Sequence, residues 1–416
     1  MIRIRRVVLI VCISLSLLAA QAASAGKGPY RYRHVGHLGS VVTPYGIAID
    51  QQCGDVYISD SGAKVVHHYD QFGKLLNNIG IANSEARGGL RDPRGLFLAN
   101  SVVQPLNALG PPMPCSGAGL LWVTDYSHAR INVFKPDGSV QSVWCGKAFP
   151  AGVCDLTGLS TYDYYPNDVW VTDNRLWVAG LLSNMVREYD LSGTLVRSVK
   201  TGGASSVAQW GTSVWTTHSG NGSDVLAQYS ADPGAGKDIP VVRVWPWSLK
   251  GPTEEVSSVW TGIDGTLYMI DRRGLEVFSP SGVPLGVTTL SDSYRPIDVA
   301  VRYDGMVYIT GEFTHGAEVF SPGATVTLTK LPGKKSEIVL AGRVVPAHAG
   351  NQIVIQRAAE NGWRTLATPR LDVRSKFVYH WTPARARVPY RVRLLFHDPH
   401  PYHADRESAI LVVASR

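Results

Sequence analysis

GIAIDQQCGDVYISDSGAKVVHHYDQFG, residues 46–73, decides how this chain is read. Two short apolar runs, GIAID and DVYISD, end in Asp. A third, KVVHHYD, ends in Tyr-Asp, and LLNNIG follows. Their Val, Ile and Tyr content reads as extended chain, while Gln-Cys-Gly, Ser-Gly and Gln-Phe-Gly read as turns. The unit is a four-stranded antiparallel meander of roughly 40 residues. Its acids and paired histidines are either a site or parts of a building block.

Recurrence decides for the building block. DVYISD has five counterparts: LLWVTD, RLWVAG, SVWTTH, TLYMID and MVYITG. Their aromatics are Tyr57, Trp122, Trp177, Trp215, Tyr268 and Tyr308. A second aromatic follows in each copy (Tyr69, Phe134, Tyr189, Tyr229, Phe278, Phe320), and then a Gly-containing turn. A lone meander cannot bury both faces. Six packed face to face around an axis can, which is a β-propeller. The two aromatics of each copy then fill the gaps between blades, where each buries about 150–250 Å².

The copies begin near Gly46, Gly95, Asp168, Ser206, Ser257 and Ile297, with insertions at residues 101–119 and 147–166. Two segments compete to complete blade 6. One is YRYRHVGHLG, Tyr30 to Gly39; the other is TVTLTK, Thr325 to Lys330. His67 and His68 fall on opposite faces of one strand and do not chelate together. Asp60, Asp125 and Asp271 recur at one register at strand ends, as turn-capping residues do.

The motifs PYGIAID, VYISD and YDQFG in the first copy, and PRGLFL, LWVTD and ARINVFKPDG in the second, resemble the NHL repeat. The resemblance spans about Tyr30 to Gly323. It implies a six-bladed propeller and, usually, a binding surface, without implying one activity. NHL-like relatives include a zinc-dependent amidating lyase whose ligand histidines follow the Pro at inner-strand starts. The matching positions here are Tyr45, Arg94 and Ile297, and none is an imidazole.

Arg3, Arg5 and Arg6, the apolar run Val7 to Ala20, and Ala23-Ser24-Ala25 form a secretory signal pattern, placing the mature start at Gly26. The alternative is an uncleaved anchor. Four cysteines remain after the signal, an even count that suits disulfides in an exported chain. Cys145 and Cys154 flank one short loop and pair locally. Cys53 and Cys115 occupy equivalent turns of adjacent blades and pair with each other. Free buried thiols are the alternative.

From Thr325 the period changes. TVTLTK, EIVLAGRVV, QIVIQRA, GWRTLA, RSKFVYHW, PYRVRLLF and SAILVVA are seven short alternating runs, the pattern of an Ig-like or fibronectin-like β-sandwich. They resemble sandwich modules of exported bacterial proteins. Trp363 and Trp381 are expected in its core. The whole chain is +7, with the basic excess concentrated here, so the tail faces something anionic or forms a solvated basic face.

The expected organisation is therefore all-β: a signal peptide (1–25), a six-bladed NHL-like propeller (26–324) and a seven-stranded sandwich (325–416). The expected function is binding of a protein or glycan on the cell envelope or outside the cell. No cofactor, no nucleic acid and no membrane span in the mature chain are expected. Strand starts and turns on one propeller face supply the contact residues: Tyr45, Lys64, Arg94, His128, Asn184, Arg272 and Arg273. The runner-up is a lyase or hydrolase acting at an axial pocket. Weak metal candidates are His128, His218 and His315 of alternate blades, and His397, His400 and His403 of HDPHPYHAD.

Overall fold

The computed structural model describes residues 32–99, 119–146, 153–159, 165–172, 174–218, 225–231, 241–245, 247–248, 251–252, 256–262, 264–272, 274–290, 294–302, 305–322, 325–334, 336–345, 350–360, 362–385, 387–396 and 406–415. The expected signal peptide, Cys115 and most of both insertions lie outside these residues.

Six antiparallel sheets follow one another along the chain. Blade 1 runs inside to outside through Pro44–Ile49, Val56–Asp60, Val65–Tyr69 and Leu75–Ile79. Blade 2 comprises Pro93–Ala99, Leu120–Asp125, Arg130–Phe134 and Val140–Gly146. Blade 3 comprises Pro166–Thr172, Arg175–Gly180, Met185–Asp190 and Leu195–Lys200. Blade 4 is Ala204–Trp210, Ser213–His218, Val225–Ser230 and Val241–Trp245. Blade 5 is Ser258–Thr261, Leu267–Asp271, Gly274–Phe278 and Pro284–Thr289. Blade 6 contributes Pro296–Val301, Val307–Gly311 and Ala317–Pro322. Each inner strand touches the inner strands of the blades before and after it, and that of blade 6 touches that of blade 1. The ring is closed.

The closing segment is N-terminal. Tyr32–Leu38 pairs antiparallel with Ala317–Pro322 and becomes the outer strand of blade 6. Thr325–Leu331, the rival, pairs instead with Ile338–Val345 in a different sheet. All twelve repeat aromatics are buried. Tyr57 and Phe134 share one hydrophobic cluster across blades 1 and 2, and Trp122 and Tyr189 share another across blades 2 and 3.

The polar letters of the motif explain themselves. The hydroxyl before the strand-ending residue reaches into the next blade: Ser59 Oγ donates to the Arg94 carbonyl at 2.7 Å, and Thr124 Oγ1 to that of Asn167 at 3.2 Å. Thr217 Oγ1 donates to the Ser257 carbonyl at 3.4 Å, and Thr310 Oγ1 to that of Tyr45. Blades 3 and 5 carry Ala179 and Ile270 at this register. There the crossing is made lower down, by Asp168 to Ser206 and Val207, and by Ser258 to Asp298. Every blade boundary thus has a polar bond at its innermost strands.

Asp60 caps as expected, and on two sides at once: it accepts from the N–H groups of Gly62 and Ala63 in its own turn, and from Val42 and Thr43 entering the blade. Asp125 accepts from the N–H groups of Arg91 and Asp92 entering its blade, but in its own turn it pairs with the His128 side chain and makes no backbone cap bond. Asp271 accepts from the Gly274 N–H.

Cys145 and Cys154 form a disulfide. Beyond it, Leu156–Leu159 pairs in parallel with Val140–Gly146, adding a fifth strand to blade 2. Cys53 is also disulfide-bonded; the expected pairing falls on Cys115, outside the described residues.

Each of the seven C-terminal runs contains a strand. Thr325–Leu331, Ile338–Val345 and Lys376–Trp381 make a three-stranded sheet. Gly362–Ala367, Ile353–Ala359, Tyr390–Phe396 and the short Arg406–Glu407 and Leu411–Val413 make another. The two share one hydrophobic cluster built on Ile338, Leu340, Ile355, Leu394 and Phe396. Trp381 packs against it, but Trp363 does not. Trp363 pairs with Ala358, one residue out of phase with Ile355, and lies half-buried beneath the Arg393 guanidinium, 4.3 Å from its ring centre. Among the described residues no helix is long and apolar enough to cross a membrane.

Three outcomes follow from this architecture. Removing residues 32–38 strips blade 6 of its outer strand, so the propeller should unfold at a lower urea concentration than in wild type. Thr310→Val leaves the buried Tyr45 carbonyl unpaired and should cost about 1–3 kcal/mol in chemical denaturation. Burial alone would raise the Asp60 carboxyl. The bonds from His67 and the N–H groups of Ala63, Val42 and Thr43 outweigh it and hold the group well below its ordinary range. A depressed folded value adds stability that is complete above about pH 4 and lost as pH falls through the folded value. The Tm gap between wild type and Asp60→Asn should therefore be full at neutral pH and shrink on acidification.

Candidate functional site

The inner strands begin irregularly. Four start with Pro (Pro44, Pro93, Pro166, Pro296), which has no N–H to offer a ladder. In blades 1, 2, 3, 4 and 6 the register slips within the next three residues. Such bulges re-aim side chains, here toward the propeller axis. Two tiers result. The upper holds Tyr45, Arg94, Asn167, Ser205, Ser257 and Ile297. The lower holds Gly46, Gly95, Asp168, Ser206, Ser258 and Asp298. The two glycines are required by crowding. A Cβ on Gly46 would lie 2.1 Å from the Arg94 carbonyl oxygen, and one on Gly95 2.5 Å from the Asp168 Cα.

These tiers enclose a cavity of about 350 Å³, lined from every blade and bordered by Leu181 and Glu312 of the turns in blades 3 and 6. Its floor is a chain of four side chains. Asp168 Oδ2 lies 2.7 Å from Ser206 Oγ, Ser206 Oγ 3.3 Å from Ser258 Oγ, and Ser258 Oγ 2.5 Å from Asp298 Oδ1. Backbone N–H groups complete it: Val169 and Val207 on Asp168, Ile47 and Val299 on Asp298. Burial raises both carboxyls above their ordinary range, and the Asp168 charge raises Asp298 further, against those hydrogen bonds.

The upper tier is tied together on one side. Arg94 Nη1 donates to Asn167 Oδ1 at 3.0 Å, and Tyr45 OH donates to the same oxygen at 3.1 Å. The guanidinium stacks on Tyr126, 3.3 Å from its ring centre, and pairs with Asp92 at 3.2 Å. Burial raises the Tyr45 hydroxyl, partly offset by Arg94, so the phenol stays neutral. On the opposite side Arg295 pairs with Glu312 at 3.0 Å.

Two of the residues expected to make contacts belong here: Tyr45 lines the cavity and Arg94 braces it. Lys64 and Asn184 sit at one position of the turn after the second strand, with φ of 62° and 53°. Ala129 and His315 repeat it at 48° and 52°. That position is defined by left-handed backbone, which suits Asn. Lys64 Nζ bonds Asn83. Arg272 is exposed in the blade 5 turn, and Arg273 lies outside the described residues.

His128 is not a surface contact. Asp125 draws it inward at 2.6 Å, Glu85 takes its other nitrogen at 3.0 Å, and the residue is 5% exposed. His218 bonds Thr216 and Tyr229 within blade 4, where burial lowers it to about 4 and keeps it neutral. With His315 in a blade 6 turn, the three histidines remain apart, and among the described residues no group of three or more His, Cys, Asp or Glu could hold a metal. His397, His400 and His403 lie outside those residues. The sequence reading missed Asp168, Ser206, Ser258 and Asp298. Their signal was one alignment column: PYG and PRG in blades 1 and 2 become PND and PID in blades 3 and 6.

No family model matches the chain, and no curated protein does. Solved structures do resemble it. A gluconolactonase of Xanthomonas campestris aligns over 72% of this chain and 92% of its own, at 14% identity and a TM-score of 0.49. Virginiamycin B lyase of Staphylococcus aureus covers 84% and 99%, at 13% identity and 0.42. The PQQ-bound aldose sugar dehydrogenase of Streptomyces coelicolor covers 70% and 97%, at 14% identity and 0.45. These are likenesses of a β-propeller; the six blades here rest on the strand pairing itself.

Proposed function

We propose that the chain is an exported, NHL-like binding protein whose axial cavity takes a small, polar, hydroxyl-rich ligand such as the end of an envelope glycan. One observation carries this reading: six inner-strand starts converge on one cavity of about 350 Å³ whose upper tier offers the phenol of Tyr45, the amide of Asn167 and the hydroxyls of Ser205 and Ser257. A cavity of that size suits a small molecule, and convergent neutral donors and acceptors suit hydroxyl groups better than a folded partner. The C-terminal sheets, read as an Ig-like or fibronectin-like sandwich with a basic excess, dock the propeller at the envelope.

The second reading, an axial hydrolase or lyase, is favoured by the acid pair. Two carboxyls held above their ordinary range by burial are the kind of group that moves protons near neutral pH. One experiment separates the two. Equilibrium dialysis of the purified protein against a mixture of soluble glycan fragments should show retention by wild type. Ser257→Trp, which fills the cavity, should lose at least tenfold of it, with the fragments recovered unchanged. Retention that survives the substitution would move binding off the axis, and conversion of a fragment would favour the enzyme.

A further inference from the structure

We propose that the axial cavity selects a ligand carrying one positive charge among its hydroxyl groups, an amino sugar being the simplest example. The inference rests on the binding function proposed above and names the ligand's charge.

The charged groups facing it come in pairs, with one remainder. Arg94 is neutralised by Asp92 and Arg295 by Glu312. Tyr45 is an uncharged phenol. Asn167, Ser205 and Ser257 are neutral. What remains is the floor, with Asp168 and Asp298 and no cation bonded to either among the described residues.

The floor holds one proton between its two acids. Each serine hydroxyl has a single hydrogen. If both acids were ionised, Ser206 would direct its hydrogen to Asp168 and Ser258 to Asp298. Two lone pairs would then face each other at 3.3 Å, the Ser206–Ser258 contact. One proton on Asp298 removes the conflict. The Asp298 carboxyl donates to Ser258, Ser258 donates to Ser206, and Ser206 donates to Asp168, so each of the three links has one donor and one acceptor. Burial acts the same way, opposing the second ionisation. The floor therefore carries one net negative charge, deep in the protein and open to the cavity through Asp168 and Asp298. Beside a carboxylate as buried as Asp168, one uncompensated charge favours a ligand of opposite sign more than it would in bulk solvent. A carboxylated ligand would meet it as repulsion. The rim hydroxyls and amide then meet the ligand's own hydroxyls, while Leu181, Val256 and Ile297 cover its apolar edges.

Three pyranoses of nearly one shape test this: glucosamine, glucose and glucuronate, by titration calorimetry with the full-length mature protein at about pH 7, where Asp168 is ionised and the amine is still largely protonated. Glucosamine should bind at least tenfold more tightly than glucose, and glucuronate most weakly. The double variant Asp168→Asn, Asp298→Asn, checked for folding by circular dichroism, should bring glucosamine down to the level of glucose. The single Asp298→Asn variant keeps one negative charge and should lose less than the double. If the double variant does not fold, the wild-type ranking decides alone. Glucose or glucuronate binding as tightly as glucosamine overturns the inference and leaves the axial small-ligand reading standing. Binding of none of the three overturns both.

Discussion

Everything in the propeller depends on satisfying the backbone where six inner strands crowd one axis. The starts of these strands leave carbonyl groups that point at the neighbouring blade rather than along a ladder, and a buried unpaired carbonyl costs about 1–3 kcal/mol. Blades 1, 2, 4 and 6 answer with Ser59, Thr124, Thr217 and Thr310 from the second strand. Blades 3 and 5 have Ala179 and Ile270 there, and Asp168 and Ser258 of the inner strand make the crossing. Aromatic burial supplies most of the cohesion between blades. The hydroxyl and carboxyl crossings fix the register at which the blades meet, because each accepts only one neighbour geometry.

That substitution of one crossing for another accounts for two of the four floor residues, Asp168 and Ser258. Where the second strand supplies the hydroxyl, the lower tier is free to be glycine, as at Gly46 and Gly95, and the neighbouring backbone fills the space. Blades 3 and 5 lack the hydroxyl, and there the polar lower-tier side chain makes the crossing; blades 4 and 6 have the hydroxyl and still place Ser206 and Asp298 on the axis. Asp298 makes both kinds of contact, bonding Ser258 of blade 5 and the Ile47 N–H of blade 1. Blade joining and the cavity floor therefore share atoms. A change on the floor alters blade joining and the charge of the cavity together, so the two effects have to be separated.

The fold was legible because its signal is periodic along the chain. Twelve aromatics and the strand-ending Asp residues recur at equivalent positions of the repeat, and their burial and capping follow from position within one blade. The cavity floor was illegible for the opposite reason. Asp168 and Asp298 are remote in sequence, and each looks like an ordinary strand residue until the ring brings blades 3 to 6 around one axis. A column-by-column comparison of the inner-strand starts would have exposed them, since Asp replaces a glycine that crowding otherwise demands. His128 misled for a related reason. A turn histidine reads as exposed, but the Asp125 that ends the preceding strand captures it. Trp363 misled because strand alternation alone does not say which face is the core; its neighbour Arg393 covers it instead of the Ile355 and Leu394 side.

Closure sets when the site can exist. The outer strand of blade 6, Tyr32–Leu38, lies at the start of the propeller sequence, and its partner Ala317–Pro322 lies at the end. Contacts this far apart in sequence form late, after the loop entropy of everything between has been overcome. The crossing from blade 6 to blade 1, through Thr310 to Tyr45 and Asp298 to Ile47, belongs to the same step. Asp298 is also one end of the cavity floor and Tyr45 one side of its rim. A propeller with five blades packed and the sixth open would hold Asp168, Ser206 and Ser258 in place, but neither the second carboxyl nor the phenol. The cavity is completed by the same strand pairing that closes the ring, so a polar ligand bridging Tyr45 and Asp298 binds only the closed form and stabilises closure by its own binding energy.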